Sequence, residues 1–292
     1  MIKAYEHHNN KVAIKFMCIC AMMTFLLLSA TKCTVPEHIS MSQPMQTSVQ
    51  SEPIPTTLPA ELTTRLRLPK AIPGVRYQSQ SNEDRALYEK IYRFHVPRHG
   101  GVILEMGALD GETYSISKFF ERYLGWKSLL IEANPDNYNA LVRNRPDATN
   151  VHTAICEGPS ITFVGSGAVG GAKEFMKEGH ADRWINPSDK EVTVPCNTFE
   201  KVFSDNGITG IDVFILDIEG GELDALKTMD WNVPVSIFVI ELNGGPKDDE
   251  LRALLKSHGY VATDWDIRDF CAKGGDCSAN EAFVRADDPM NI

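Results

Sequence analysis

Two short runs constrain this chain more than anything else in it: Val102 to Glu112, VILEMGALDGE, and Leu129 to Pro135, LLIEANP. The first reads as an apolar strand that ends in an acid and enters a turn carrying Gly107 and Gly111. Glycine at those points lets the backbone approach a ligand closely. The second is an apolar strand ending in Glu132, 25 positions beyond Gly107. A Rossmann-type unit places there the acid that accepts hydrogen bonds from ribose hydroxyls. The two runs therefore form a strand-turn-helix-strand unit suited to a nucleoside.

The shape of the turn narrows the ligand. Dinucleotide sites need three closely spaced glycines to seat a pyrophosphate on a helix N-terminus, and this turn lacks that triplet. Glu105, Gly107 and Gly111 instead form an acid-x-Gly-x-x-x-Gly pattern. An acid at the strand end orders the turn and meets an ammonium group, whereas it would repel a diphosphate. S-adenosylmethionine carries an ammonium, a sulfonium and a ribose, and no phosphate.

A further block, Ile211 to Leu226, reads IDVFILDIEGGELDAL. Its Asp217, Glu219, Gly220 and Glu222 resemble the Asp-x-Glu-Gly-x-Glu signature of the FkbM family of S-adenosylmethionine-dependent methyltransferases. EMGALDG, LGWKSLLIEANP, TAIC at Thr153 to Cys156 and VTVPCNTFEKVF at Val192 to Phe203 extend the resemblance over residues 79–286. It implies S-adenosylmethionine as cofactor and a hydroxyl of a sugar, glycan or small molecule as methyl acceptor. It also implies cofactor contacts at Glu105, Gly107, Gly111, Glu132 and Asn134, with Ala154 and Ile155 on the adenine side. Membrane-anchored Star-type relatives use the same fold for binding or trafficking without catalysis, and Ile116 and Ser117 stand where such relatives often have Asn and Thr.

Asp217 ends a strand where methyl acceptors meet the sulfonium in this fold class, and Glu219 follows within a turn. Both are expected to take the hydroxyl proton. The competing reading of this acidic run is a helix N-terminus that favours carboxylates through its dipole. Glu241 and Asn243, after another strand, are alternatives for a divalent cation beside Asp217, although no metal is expected here. His180 is read as a solvated loop histidine or an acceptor-binding group, and the GSGAVGG run at Gly165 to Gly171 as a lid or a connector.

The N-terminal part differs in character. Residues 1–11 read as a cytoplasmic tail and 12–30, broken only by Lys15, as a signal anchor, because Lys3, Lys11 and Lys15 precede the apolar stretch. A cleaved signal peptide, and hence secretion, is the rival reading. Residues 31–80 hold Pro36, Pro44, Pro53, Pro55, Pro59, Pro69 and Pro73 among Ser, Thr and Gln, and read as an extended stem. The catalytic domain, 81–292, is then lumenal or extracellular. Beyond residue 33 the chain has 25 basic against 38 acidic residues, a surface that repels phosphate backbones, so no nucleic-acid partner is expected. Cys156, Cys196, Cys271 and Cys277 allow two bridges in an oxidising lumen, with Cys271 and Cys277 the nearer pair in sequence.

Within the domain the pattern predicts a leading helix over Ser81 to Tyr92, capped by Ser81 with Asp84 in a box-like arrangement. Strands follow at 102–106, 128–132, 151–155, 213–217 and 236–241, separated by helices and by an irregular insertion at 157–189. A closing hairpin falls near 260–263 and 281–285. Tyr114, Phe119, Phe120 and Tyr123 have helical spacing and are expected in the core. The alternation of apolar strands and helices predicts an α/β fold: a doubly wound, mostly parallel seven-stranded sheet, Rossmann-like, with an antiparallel edge hairpin.

Overall fold

The computed structural model describes residues 68–69, 72–94, 100–177, 179–242, 244–271 and 280–287. The chain divides into residues 1–58 and 59–292, and all described residues lie in the second unit. The expected tail, anchor and most of the stem lie outside them, as do Asn243 and Cys277. Among the described residues no helix is long and apolar enough to cross a membrane.

In chain order the first elements are α1 (Glu83–Leu87), β1 (Val102–Met106), α2 (Ser117–Leu124), β2 (Lys127–Glu132), α3 (Pro135–Asn144) and β3 (Thr149–His152). Next come β4 (Ala154–Ile155), β5 (Ser160–Val164), β6 (Gly171–Ala172), α4 (His180–Trp184) and β7 (Val192–Asn197). The last are α5 (Phe199–Asn206), β8 (Ile211–Leu216), α6 (Glu222–Leu226), β9 (Val235–Glu241), α7 (Pro246–Ser257), β10 (Tyr260–Ala262) and β11 (Asn280–Arg285).

The main sheet has seven strands in the order β10-β11-β9-β8-β1-β2-β3. β3, β2, β1, β8 and β9 are parallel, while β11 runs antiparallel between β9 and β10. The expected edge hairpin is present, with its second strand inserted next to β9. From β1 the chain winds outward through β2 and β3, then returns and winds the other way through β8 and β9. The β1/β8 junction is thus the topological switch point, beyond whose strand ends ligands bind in such sheets.

Alternation along the strands explains the two covered faces. Leu104, Phe214, Leu216, Phe238 and Ile240 pack with Phe199, Leu226 and Leu255 of α5, α6 and α7. Ile103, Val213, Ile215, Ile237 and Val239 pack with Leu87, Phe119 and Phe120 of α1 and α2. Both faces are buried, so the strands read as near-continuous apolar runs.

Four expectations require correction. The leading helix starts at Glu83 behind Asn82, not at a Ser81 cap. The Asp84 carboxylate instead reaches back to accept from the Gln78 amide and the Ser79 hydroxyl. The third strand breaks at Thr153, whose hydroxyl donates to the Pro195 carbonyl, so β4 leaves the main sheet and pairs with β7. The insertion is more regular than expected: β4, β7, β5 and β6 form a second sheet in that order, and the Cys156–Cys196 disulfide joins its β4 and β7 ends. Finally, Tyr114 is 51% exposed, with φ of 60° before α2 begins, while Phe119 and Phe120 are core. Cys271 is also disulfide-bonded.

One buried cation ties the layers beside the site. The Arg145 guanidinium, after α3, donates to Glu121 at 2.6 and 3.1 Å, to the hydroxyls of Ser115, Ser117 and Ser128, and to the Gly111 carbonyl. Arg145→Ala leaves these acceptors unfilled and is expected to cost about 3 kcal/mol in urea unfolding. Arg145→Lys is expected to recover little of that loss, because an ammonium cannot reproduce the planar fork.

Candidate active site

At the end of β1, Glu105 is buried and its carboxylate accepts from the Ser115 and Ser117 hydroxyls at 2.8 and 2.5 Å and from the Ile116 amide at 2.8 Å. The acid therefore orders the turn that follows the glycines. Gly107 has φ of 82°, and a Cβ there would stand 1.9 Å from the Asp217 carbonyl oxygen, so no other residue fits. Leu109, also at positive φ (51°), directs its amide to Glu132.

Glu132 ends β2, 5% exposed, and accepts one amide on each oxygen, from Leu109 at 2.8 Å and from Asn134 at 2.7 Å. Burial pushes its pKa up to about 7, against the pull of those amides. The Asn137 side chain and the Ala133 backbone also interact with the carboxylate.

After β8 the chain makes a tight loop. Glu222, buried at the start of α6, accepts from the Ile218 and Gly220 amides and so fixes it. Glu219 is held at φ of 59°, a costly conformation for a residue with a Cβ. At Gly220, φ 109°, a Cβ would lie 2.8 Å from the Phe175 carbonyl. One carboxylate oxygen from each of Asp217, Glu219 and Glu241 lies within 4.8 Å of the others, a spacing compatible with a divalent cation. Burial and the repulsion of neighbouring carboxylates raise Asp217 well above its ordinary range, with a hydrogen bond to Glu241, and raise Glu219 to about 8. Burial raises Glu222 to about 7.

A cavity of about 580 Å³ joins Glu105, Gly107 and Glu132 to Asp217, Glu219 and Glu241, a size suited to a cofactor or small ligand. Ala154, Ile155, Ile161 and Phe163 give it one apolar wall. Its roof is the insertion, from the turn at Gly167–Val169 through α4. His180 latches that roof: Nε2 faces the Val169 carbonyl at 2.9 Å and Nδ1 faces Glu219 at 3.5 Å.

The profile of the Methyltransferase FkbM domain matches residues 105–262, more than half of the chain, and spans both strand ends and the acidic loop. This chain belongs to the FkbM methyltransferase family. No curated protein matches this FkbM domain chain. Similar solved structures include a TehB-like SAM-dependent methyltransferase from Corynebacterium glutamicum, at 14% identity over 70% of this chain and 86% of that one, TM-score 0.38. Others are M. capricolum TrmK with S-adenosyl-homocysteine (12% identity, 66% and 65% covered, TM-score 0.36) and the Methanococcus jannaschii fibrillarin pre-rRNA processing protein (12%, 73% and 78%, TM-score 0.39). The architecture of the FkbM domain rests on its strand order, to which likeness at this level adds nothing.

Of the residues singled out from sequence, Glu105, Gly107, Glu132, Ala154, Ile155, Asp217 and Glu219 line the cavity. Gly111 and Asn134 stand outside the lining. Gly111 packs on Leu141 and Arg145, and Asn134 caps α3 by accepting the Asp136 and Asn137 amides. Sequence reasoning missed Leu109, Tyr114, Arg183 and Trp184; of its two readings of His180, solvated or acceptor-binding, the first does not hold, since the residue lines the cavity and is latched. Only the nearness of Tyr114 to the glycine turn offered a signal.

The raised acids set a pH dependence. In the unfolded chain such glutamates ionise near 4.5, so between about pH 4.5 and 8 it has released protons that the folded chain keeps, and stability falls as pH rises. The thermal midpoint is expected to drop across that window. Glu222→Gln keeps both amide bonds but removes one titrating acid, worth about 3 kcal/mol at the upper end. Its melting curve is expected to depend less on pH than that of the natural chain.

Proposed function

We propose that this protein is an S-adenosylmethionine-dependent O-methyltransferase that acts on a hydroxyl of a sugar, glycan or small molecule. The observation that carries the reading is the single cavity running from Glu132 past Gly107 to the Asp217 cluster. Its residues fit the cofactor. Glu132 presents a carboxylate to the cavity for the ribose, Ala154 and Ile155 offer an apolar face for adenine, and the surrounding carboxylates favour a cationic ligand. When bound, S-adenosylmethionine supplies a methyl group activated on a sulfonium.

The chain's own residues position the acceptor and receive its proton. Asp217 and Glu219 lie close enough for their charges to interact as a unit. An ionised member of that unit takes the hydroxyl proton as the oxygen forms its bond to carbon. The roof excludes water, and the rigid strand ends hold the reacting groups near attack distance.

Location is part of the proposal: a single-pass signal-anchored protein with its domain in an oxidising lumen or outside the cell. The Cys156–Cys196 bridge and the apolar run after three lysines support it. A second reading, a silent Star-like relative used for binding or trafficking, draws on Glu105, whose oxygens are engaged by Ser115, Ile116 and Ser117.

Calorimetric titration of the full chain with S-adenosylmethionine is expected to show binding that Glu132→Ala abolishes. Asp217→Asn is expected to retain binding while methyl transfer falls by about 100-fold or more. Transfer in the natural chain is expected to rise between about pH 7 and 8, as the acidic unit ionises. Absence of binding at millimolar ligand would favour the silent relative.

A further inference from the structure

We propose that Arg183 and Trp184 form a specificity subsite at the cavity mouth for a carboxylate-bearing sugar, so that the acceptor is an acidic sugar rather than a neutral one. The proposal rests on the methyltransferase reading and adds to it the charge of the acceptor.

The cavity is lined by five carboxylates, from Glu105, Glu132, Asp217, Glu219 and Glu241, and among the described lining residues Arg183 is the one arginine or lysine. Elsewhere Arg85, Arg145, Arg252, Arg268 and Arg285 pair with acids; Arg93 and Arg122, like Arg183, lie over the ring of the next residue, but of these three Arg183 alone lines the cavity. Among the described residues Arg183 has no carboxylate partner. Its guanidinium instead lies over the Trp184 ring, 4.6 Å from the centroid. A guanidinium over a ring keeps its N–H edge available, and that edge grips a carboxylate with two parallel hydrogen bonds.

The ring beneath it points to the rest of the ligand. Two large aromatic side chains among the described residues are markedly exposed, Trp184 at 49% and Tyr114 at 51%, and both line this cavity. Tyr114 is held there at φ of 60°, which costs conformational energy. Exposed aromatic faces take the apolar face of a sugar ring while its hydroxyl edges stay in water. α4 carries both Arg183 and Trp184, and the His180 contacts to Val169 and Glu219 seat that helix against the acidic cluster. A uronate bound on this platform has its carboxylate on Arg183 and its hydroxyls directed inward.

The test uses the full chain and two probes, methyl glucuronide and methyl glucoside, titrated with and without S-adenosylhomocysteine and read by saturation-transfer NMR. The glucuronide is expected to bind about tenfold more tightly. Arg183→Gln is expected to remove that preference without changing affinity for S-adenosylhomocysteine, and Trp184→Ala to weaken both sugars. Equal binding of the two sugars, binding of neither, or a preference that survives Arg183→Gln overturns the proposal. So does a loss of S-adenosylhomocysteine affinity in Arg183→Gln that 5′-methylthioadenosine, which lacks the amino-acid head, does not share, because the guanidinium then serves the cofactor. Failure of the natural chain to bind S-adenosylhomocysteine sinks the methyltransferase reading separately, since the sugar preference is also measured without it.

Discussion

Where β1 and β8 part company, the backbone of one strand end lies against that of the other. The Gly107 Cα sits so near the Asp217 carbonyl that even a methyl group has no room. The same contact is braced on both sides: the Asp217 amide donates to the Met106 carbonyl, and the Gly107 amide donates to that of Ile131. Three strand ends are thus held within one hydrogen-bonded knot. The carboxylates of Glu105, Glu132 and Asp217 flank that knot, and the cavity exists because the strands that carry them cannot separate.

That convergence has an electrostatic cost. Burial and proximity hold several of the acids around the cavity in their protonated form well above the usual carboxylate range. Glu132, Asp217 and Glu219 gain negative charge only as they lose protons at higher pH than ordinary carboxylates do. The site therefore suits a cationic ligand and a reaction that ends with a proton on the protein. Glu222 is the exception in role, since its two amide bonds make it a brace for the Asp217 loop.

The central strands were legible because helices cover both sheet faces, which turns 102–106, 213–216 and 236–241 into plain apolar runs. Glu132 was legible because its distance from Gly107 reflects the length of one strand-turn-helix-strand unit. The break at Thr153 was not, since Val151 to Ile155, VHTAI, holds no glycine or proline to mark it, and only the pairing of β4 with β7 shows that it serves two sheets. Asp84 failed as a helix-box residue because a buried carboxylate found nearer donors at Gln78 and Ser79. The roof was hidden for a different reason. Residues such as His180, Arg183 and Trp184 sit on a five-residue helix with no period to read, and their meaning comes from what lies beneath them.

The bridge between Cys156 and Cys196 gives the roof an independence that the rest of the domain lacks. It closes the second sheet at its base, 40 residues apart in sequence, beside the point where β4 leaves the main sheet. Everything between the two sulfurs is a covalently closed annex. Its length and composition can drift without disturbing the register of the parallel strands, because lengthening a closed loop costs little. One floor can in this way be fitted with many ceilings, and the part of the acceptor platform that α4 carries can be rebuilt within the annex alone.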